Sequence, residues 1–504
     1  MRLSRYLALS LPTLLFLVCS LTTSVKAQNE LRDDIHEYTL ENGLRVIMVV
    51  RDFAPVIDFN FTFGVGGVDE PEGLGGIAHM VEHMAFKGTK SIGSLDITAE
   101  EQALETLEIA ASALDIARRA GLTGDALAAF ETDLSDAQAA AQALAIPNAL
   151  DGLFTDNGGQ GLNASTGYDR TSYTVSLPAN RLELYARVYA DVLTNAVFRS
   201  FYEERDVVRE ERRQRSEDQP DGVLYEAFLK TAFKESPYGR PLIGTSEEIE
   251  GYTATEAEGI YRVFYHPNNA VLVMVGDLQP ERDIKLIRKY FDFVPQGPIS
   301  NAKLPSEPKQ TAERRVEVPF AAEPILLVGY HKPTLPNRDA YTLDVLDYIL
   351  GHGRSSRLYR SLVTEQQLAL DVSTSSGTPG IRLPNLFTIQ ATPRAPHTSQ
   401  ELETAIYTEL TDVANNGVTD AELARARTLL RADVLRGLAS GSGLAASLAF
   451  NELFAGGWEK LFDDLDTYDT VTGAEIQDAA ARTFPKTNRT VATLVTKAPE
   501  QEEQ

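Results

Sequence analysis

Phe264-Tyr265-His266-Pro267-Asn268-Asn269-Ala270-Val271-Leu272-Val273-Met274-Val275 is echoed at a constant offset by Phe484-Pro485-Lys486-Thr487-Asn488-Arg489-Thr490-Val491-Ala492-Thr493-Leu494-Val495. Each stretch reads as a helix end, a turn around an asparagine and a buried strand. Each also closes one half of the chain, and a match in that position points to duplication. Working outward, Glu37 to Leu40, Leu44 to Val50 and Val56 to Phe63 read as strands, the first two joined by an Asn42-Gly43 turn. Arg315 to Phe320 and Pro324 to His331 read likewise in the second half. Between the halves, Pro295 to Glu313 is rich in proline, lysine, serine and glutamate and has no hydrophobic period. The expected architecture is α+β, with two homologous domains, each an antiparallel sheet covered by helices. The expected bounds are a first domain at 28–294, a linker at 295–313, a second domain at 314–498 and an acidic tail at 499–504.

Residues 97–148 are dominated by alanine, leucine and glutamate and read as a helical hairpin inserted in the first domain, bent at Gly121 to Gly124. Scaffold is the expected role of such a hairpin. Residues 1–27 carry the marks of a secretory leader: Arg2 and Arg5, an apolar run from Leu7 to Val18, and a small-residue cleavage site at Val25-Lys26-Ala27. Cleavage near Ala27 removes Cys19, the single cysteine, and implies a periplasmic or secreted protein without disulfides. The formal charge of −25 becomes −28 once Arg2, Arg5 and Lys26 leave, which argues against nucleic acid and anionic membranes as partners. No second apolar segment is long enough to span a bilayer.

Of the seven histidines, two fall in His79-Met80-Val81-Glu82-His83. On a helix, residues four apart share a face, so His79 and His83 can offer nitrogens to one metal ion. Glu82 lies on the flank of that face, where a carboxylate can take a proton from water without itself binding the ion. So short a pattern also arises by chance. Its context favours the chemical reading: an apolar strand and the turn Gly73-Leu74-Gly75-Gly76 precede it, and Ile77, Met80, Val81, Met84 and Phe86 give the helix a buried face. His36, His266, His331, His352 and His397 are isolated and read as surface, cap or packing residues. A zinc site usually takes three protein ligands. The charged run Phe201 to Arg213 can supply the third, although such runs are commonly solvated helix surface.

Here the chain resembles the pitrilysin-type inverzincin metallopeptidases, which include mitochondrial processing peptidase and insulin-degrading enzyme. That family carries H-x-x-E-H and, downstream, E-R-x-x-V-x-x-E, matched by Glu204-Arg205-Asp206-Val207-Val208-Arg209-Glu210-Glu211. The resemblance implies a processing-peptidase-like fold, Zn²⁺ held by His79, His83 and Glu211, Glu82 as the catalytic acid and base, and Glu204 supporting a histidine ring. Gly161 to Thr166 resembles the family's N-A-x-T strand, which implies that Asn163 and Ala164 pair with an extended peptide substrate. Manganese or cobalt suits the same donors. The chain departs from the family in two ways. The interval from His83 to Glu211 is longer than usual, and the 97–148 hairpin accounts for the excess. Active relatives also use an arginine and a tyrosine to hold the substrate carbonyl, and those places fall on Val363 and Leu370. The resemblance therefore implies a zinc endopeptidase for unfolded peptides that needs a homologous partner chain, as a heterodimer or homodimer. The alternative is a non-catalytic peptide-binding scaffold subunit of the same fold.

Overall fold

The computed structural model of the chain describes residues 32–298 and 303–497. The leader expected at 1–27 and the tail expected at 499–504 lie outside the described residues. Among these, eleven strands form two sheets. The first comprises β1 (Ile35–Thr39), β2 (Arg45–Val50), β3 (Val56–Phe63), β4 (Gln160–Thr166), β5 (Thr171–Pro178) and β6 (Ala270–Gly276), in the order β1-β2-β6-β3-β5-β4. The second comprises β7 (Arg314–Phe320), β8 (Ile325–Lys332), β9 (Ala369–Thr378), β10 (Asn385–Pro393) and β11 (Arg489–Thr496), in the order β7-β11-β8-β10-β9. With β1 set aside, the two orders are the same, so the halves share one fold.

Two sequence expectations need correction. The sheets are not wholly antiparallel, because β2 pairs with β6, and β7 with β11, in parallel. In the first half β6 wedges between β2 and β3, and in the second β11 between β7 and β8; each of those pairs runs in opposite directions, so the wedged strand must lie parallel to one of them. The repeat is also one residue out of step with the sequence echo. Asn488 Nδ2–H donates to the carbonyls of Thr483 and His331, at 2.8 Å each. Its structural counterpart is Asn269, which donates to Phe264 and Gly64, and not Asn268. Asn268 instead exchanges two hydrogen bonds with the backbone of Gly297. The strand pairings agree, with Ala270 opposite Phe63 and Arg489 opposite Tyr330.

The helices that position the site are α1 (Ile77–Met84), α2 (Ile97–Arg119), α3 (Asp125–Gln142), α4 (Phe201–Arg212), α5 (Pro220–Ala232) and α6 (Gly441–Phe450). α2 and α3 form the expected hairpin. The halves exchange helices across their seam. From the first half, α5 puts Leu224 and Phe228 against Val318, Leu327, Ala492 and Leu494 of the second sheet. From the second half, α6 puts Leu444 and Leu448 against Ile47, Val49, Val271 and Val273 of the first. The Phe228 ring lies so close to Gly329 that a Cβ there would stand 2.4 Å from its Cζ, which only glycine permits.

Polar contacts reinforce the seam. Arg382 makes a two-pronged ion pair with Asp69, at 2.7 and 2.9 Å, and Asp169 accepts from the Tyr238 hydroxyl and from the Ile381 backbone N–H. The segment read as a linker is also tied down where it is described. Glu307 accepts from the backbone N–H groups of Lys234 and Glu235, and the buried Gln310 donates to the Arg489 carbonyl.

Candidate metal centre

The glycine-rich turn before α1 does more than open a helix. Gly76 has φ of +83°, and a Cβ there would stand 1.9 Å from the Ile243 carbonyl oxygen, so close chain passage demands glycine. The first turn's unpaired N–H groups find Glu70. Gly76 N–H donates to one of its carboxylate oxygens at 3.0 Å and Ala78 N–H to the other at 2.9 Å. Burial pushes the Glu70 carboxyl up to about 8. Anchored at its start and buried along Ile77, Met80, Val81 and Met84, α1 holds its histidines on a fixed face.

His79 and His83 lie one turn apart, with ring centroids 4.8 Å from each other. Glu211, in the last turn of α4, reaches both. Its Oε1 is 3.7 Å from His79 Nε2 and its Oε2 is 3.5 Å from His83 Nε2. These separations exceed the roughly 2.9 Å of an N–H···O bond. They suit a shared ion, because two bonds of about 2.0–2.2 Å at a tetrahedral angle set their ends roughly 3.4 Å apart. The three residues offer ligand atoms all within 4.8 Å of one another, the one such group among the described residues. Two imidazole nitrogens and one carboxylate oxygen form a donor set that fits zinc. The neighbouring Glu210 turns outward to Arg213 and Gln214, so the register set by the buried Val208 brings Glu211 to the histidines.

Around this trio the charges are organised. His83 Nδ1–H faces Glu204 Oε2 at 3.1 Å, which leaves Nε2 for the Glu211 side, and Lys87 pairs with the other oxygen of Glu204. Burial alone would lower His83, but the carboxylates of Glu204 and Glu211 outweigh it and push the imidazole up to about 9. His79, buried and beside His83, is driven down to about 4. Burial works against ionised Glu204 too, yet His83 and Lys87 hold it below the usual carboxylate range. Glu211 is also held low, by His83 first and then by His79 and Arg215. Glu82 lies buried on the flank of α1, where burial raises its carboxyl and the Thr166 hydroxyl donates to it.

β4 is the outermost strand of its sheet and, among the described strands, pairs only with β5, Asn163 opposite Thr174 and Ala164 opposite Tyr173. Its other edge is open. Asn163 and Ala164 line a cavity of about 1070 Å³ together with His79, Glu82, His83 and Glu211. Every residue lining that cavity comes from the first half. Val363 packs partly against the second half's core and Leu370 is exposed on β9, so neither reaches it.

The sequence reading did not anticipate three contributors. Lys87 and Arg215 stand four residues beyond His83 and Glu211, a spacing visible in the sequence, and Arg215 Nη1 lies 2.7 Å from Glu211 Oε1. Glu70 left no signal, since only the folded chain brings it back to the start of α1.

Known proteins resemble the chain over most of its length. Residues 46–112 and 146–246 match the model described as insulinase (peptidase family M16), and residues 252–430 match that of the peptidase M16 inactive domain. The first match omits 113–145, the end of α2 and the whole of α3. The zinc protease PqqE of Helicobacter pylori is 27% identical over 443 residues, covering 86% of either chain. The crystal structure of a protease from Helicobacter pylori superposes with a TM-score of 0.76 at 25% identity, covering 91% of this chain and 99% of that one. The periplasmic protease PqqL of Escherichia coli shares the fold, with a TM-score of 0.68 at 16% identity, over 92% of this chain and 48% of its own. Among the described residues no helix is long and apolar enough to cross a membrane. The chain is thus made of peptidase family M16 domains, the insulinase type first and the type called inactive second.

Proposed function

We propose that this chain is a zinc-dependent endopeptidase of the periplasm or secreted space that hydrolyses unfolded peptides in an enclosed chamber. The observation that carries the reading is the convergence of His79, His83 and Glu211 beside the buried carboxyl of Glu82. When bound, the ion supplies Lewis acidity for cleaving an amide. The chain's own residues do the rest. His79, His83 and Glu211 hold the ion, and Glu204 orients the His83 ring through Nδ1–H. Glu82 takes the proton of the attacking water at its carboxylate and returns it to the departing amine nitrogen; its raised pKa makes it the stronger base. The open edge of β4 receives the peptide main chain at Asn163 and Ala164. Domain bounds at 28–294 and 314–498 and a leader ending near Ala27 belong to the same reading.

The cavity draws nothing from the second half, and Val363 and Leu370 cannot donate a hydrogen bond to a substrate carbonyl. A homologous partner chain supplies those donors in this proposal. Metal analysis and peptide hydrolysis test the roles separately. Glu82→Gln is expected to keep zinc and lose about a hundredfold or more in turnover, whereas Glu211→Gln loses the zinc itself. Full activity of the purified chain alone would remove the partner from the account. The second reading, a scaffold subunit that binds peptides without cutting them, is favoured by Val363 and Leu370. Zinc-loaded protein that binds peptides and cleaves none, with or without a metal-free homologue, would select it.

A further inference from the structure

The helical hairpin leaves the M16 match at 113 and the chain rejoins it at 146, and the segment at that junction forms a wall of the cavity holding His79, Glu82 and Glu211. We propose that this segment, through Ile146 and Pro147, builds an apolar subsite that selects substrates by one side chain beside the cleaved bond. The inference rests on the peptidase reading and names what that site accepts.

The wall is fixed. Leu95 N–H donates to the Leu144 carbonyl at 2.8 Å and Ile146 N–H to the Gly93 carbonyl at 2.9 Å, so residues 144–146 lie antiparallel to 93–95, with Ser94 and Ala145 bridged. Buried Arg199 secures the base of the hairpin. It grips both carboxylate oxygens of Glu100 on α2, at 2.6 and 2.9 Å, and donates to the carbonyls of Lys87, Thr89 and Ile92. At the end of α3, Gln142 donates to Glu203, next to Glu204 on α4, at 2.7 Å. The wall therefore keeps its place relative to the ligand helices.

Ile146 is one of the few large apolar side chains left substantially exposed, at 44%. A branched aliphatic group held in a rigid backbone and open to a cavity offers its surface to whatever enters. Strand geometry says what that is. Along β4, Leu162, Ala164 and Thr166 are half-buried and alternate with the exposed Asn163 and Ser165. Leu162 and Ala164 pack toward the helices, and Thr166 touches Glu82. A peptide added at the open edge projects alternate side chains to that same face. Phe86, Ile146, Pro147, Leu162 and Ala164 are the apolar residues near that strand among those that line the cavity it would enter. The ligand chemistry is an extended peptide carrying a large apolar residue in register with this patch.

The test uses the full chain, its zinc content checked, alone and with a metal-free homologue added, against a peptide library read by mass spectrometry, with Ile146→Asp as the variant. Ile146 is half open to solvent, and equal zinc content and melting temperature confirm that the variant folds. The subsite requires the unsubstituted chain to prefer a large aliphatic or aromatic residue at one fixed position and Ile146→Asp to lose about tenfold or more of that preference in kcat/KM, with hydrolysis of peptides lacking such a residue little changed. The same library is scored for equilibrium binding to Glu82→Gln with and without Ile146→Asp. Binding selectivity that depends on Ile146 without any hydrolysis, even with the metal-free homologue present, overturns the peptidase reading and sustains the subsite. Selectivity that is the same with isoleucine or aspartate at 146, in cleavage and in binding, overturns the subsite.

Discussion

At the scale of single residues, the trio was legible because spacing on a helix is a chemical statement. His79 and His83 stand four apart, and Val208 sets which of two adjacent glutamates turns inward. The support around them was only partly legible: Arg215 keeps helical spacing from its partner Glu211, while Lys87, Glu70 and Thr166 reach theirs from separate segments. The electrostatics lead to a measurable consequence. His83 is raised to about 9, so in the metal-free protein at neutral pH it carries a proton, whereas metal binding needs a neutral imidazole. Zinc binding near pH 7 is therefore expected to release about one proton per site, read by titration calorimetry in buffers of different ionisation enthalpy. The sign for stability runs the other way. A folded-state pKa above the ordinary histidine value gives metal-free protein stability that is fully present below about 6.5 and lost as pH rises through about 9.

At the scale of elements, the strands and the hairpin could be read from pattern, and their pairing could not. β6 is buried at every position and β11 at most, so no alternation of polar and apolar residues marks their register. That is why the echo between the halves fell one residue away from the true repeat, which the asparagines at 269 and 488 define by their hydrogen bonds. Nor could the sequence show which sheet a helix covers, because an apolar face on α5 or α6 is complementary to either. The structure makes Phe228 the anchor of α5 on the foreign sheet. Phe228→Ala is expected to cost about 3–5 kcal/mol in urea unfolding, more than truncation of an ordinary helix surface residue, since the ring fills the space over Gly329.

At the scale of the whole molecule, the exchange of α5 and α6 binds the halves more firmly than their connecting segment does. Residues 32–298 and 303–497 produced as two separate chains are expected to associate one to one and to bind zinc together, as read by size-exclusion chromatography with metal analysis. Independent migration of the two pieces would contradict the exchange. The contacts of Arg382 with Asp69 and of the Ile381 backbone N–H with Asp169 act in the same sense, holding a hairpin of the second half against the first. Duplication was legible in the sequence; interlocking was not, because it depends on two helices each leaving its own half.

The far skin of the sheet that seats α1 is encoded more than a hundred residues after that sheet's own last strand, in α6. A lineage that discarded the second half would bare Ile47, Val49, Val271 and Val273 to water in one stroke, and a continuous aliphatic surface of that kind invites aggregation. Fusion of the two copies is in this sense a ratchet: once each wears a piece of the other, neither can return to a solitary existence.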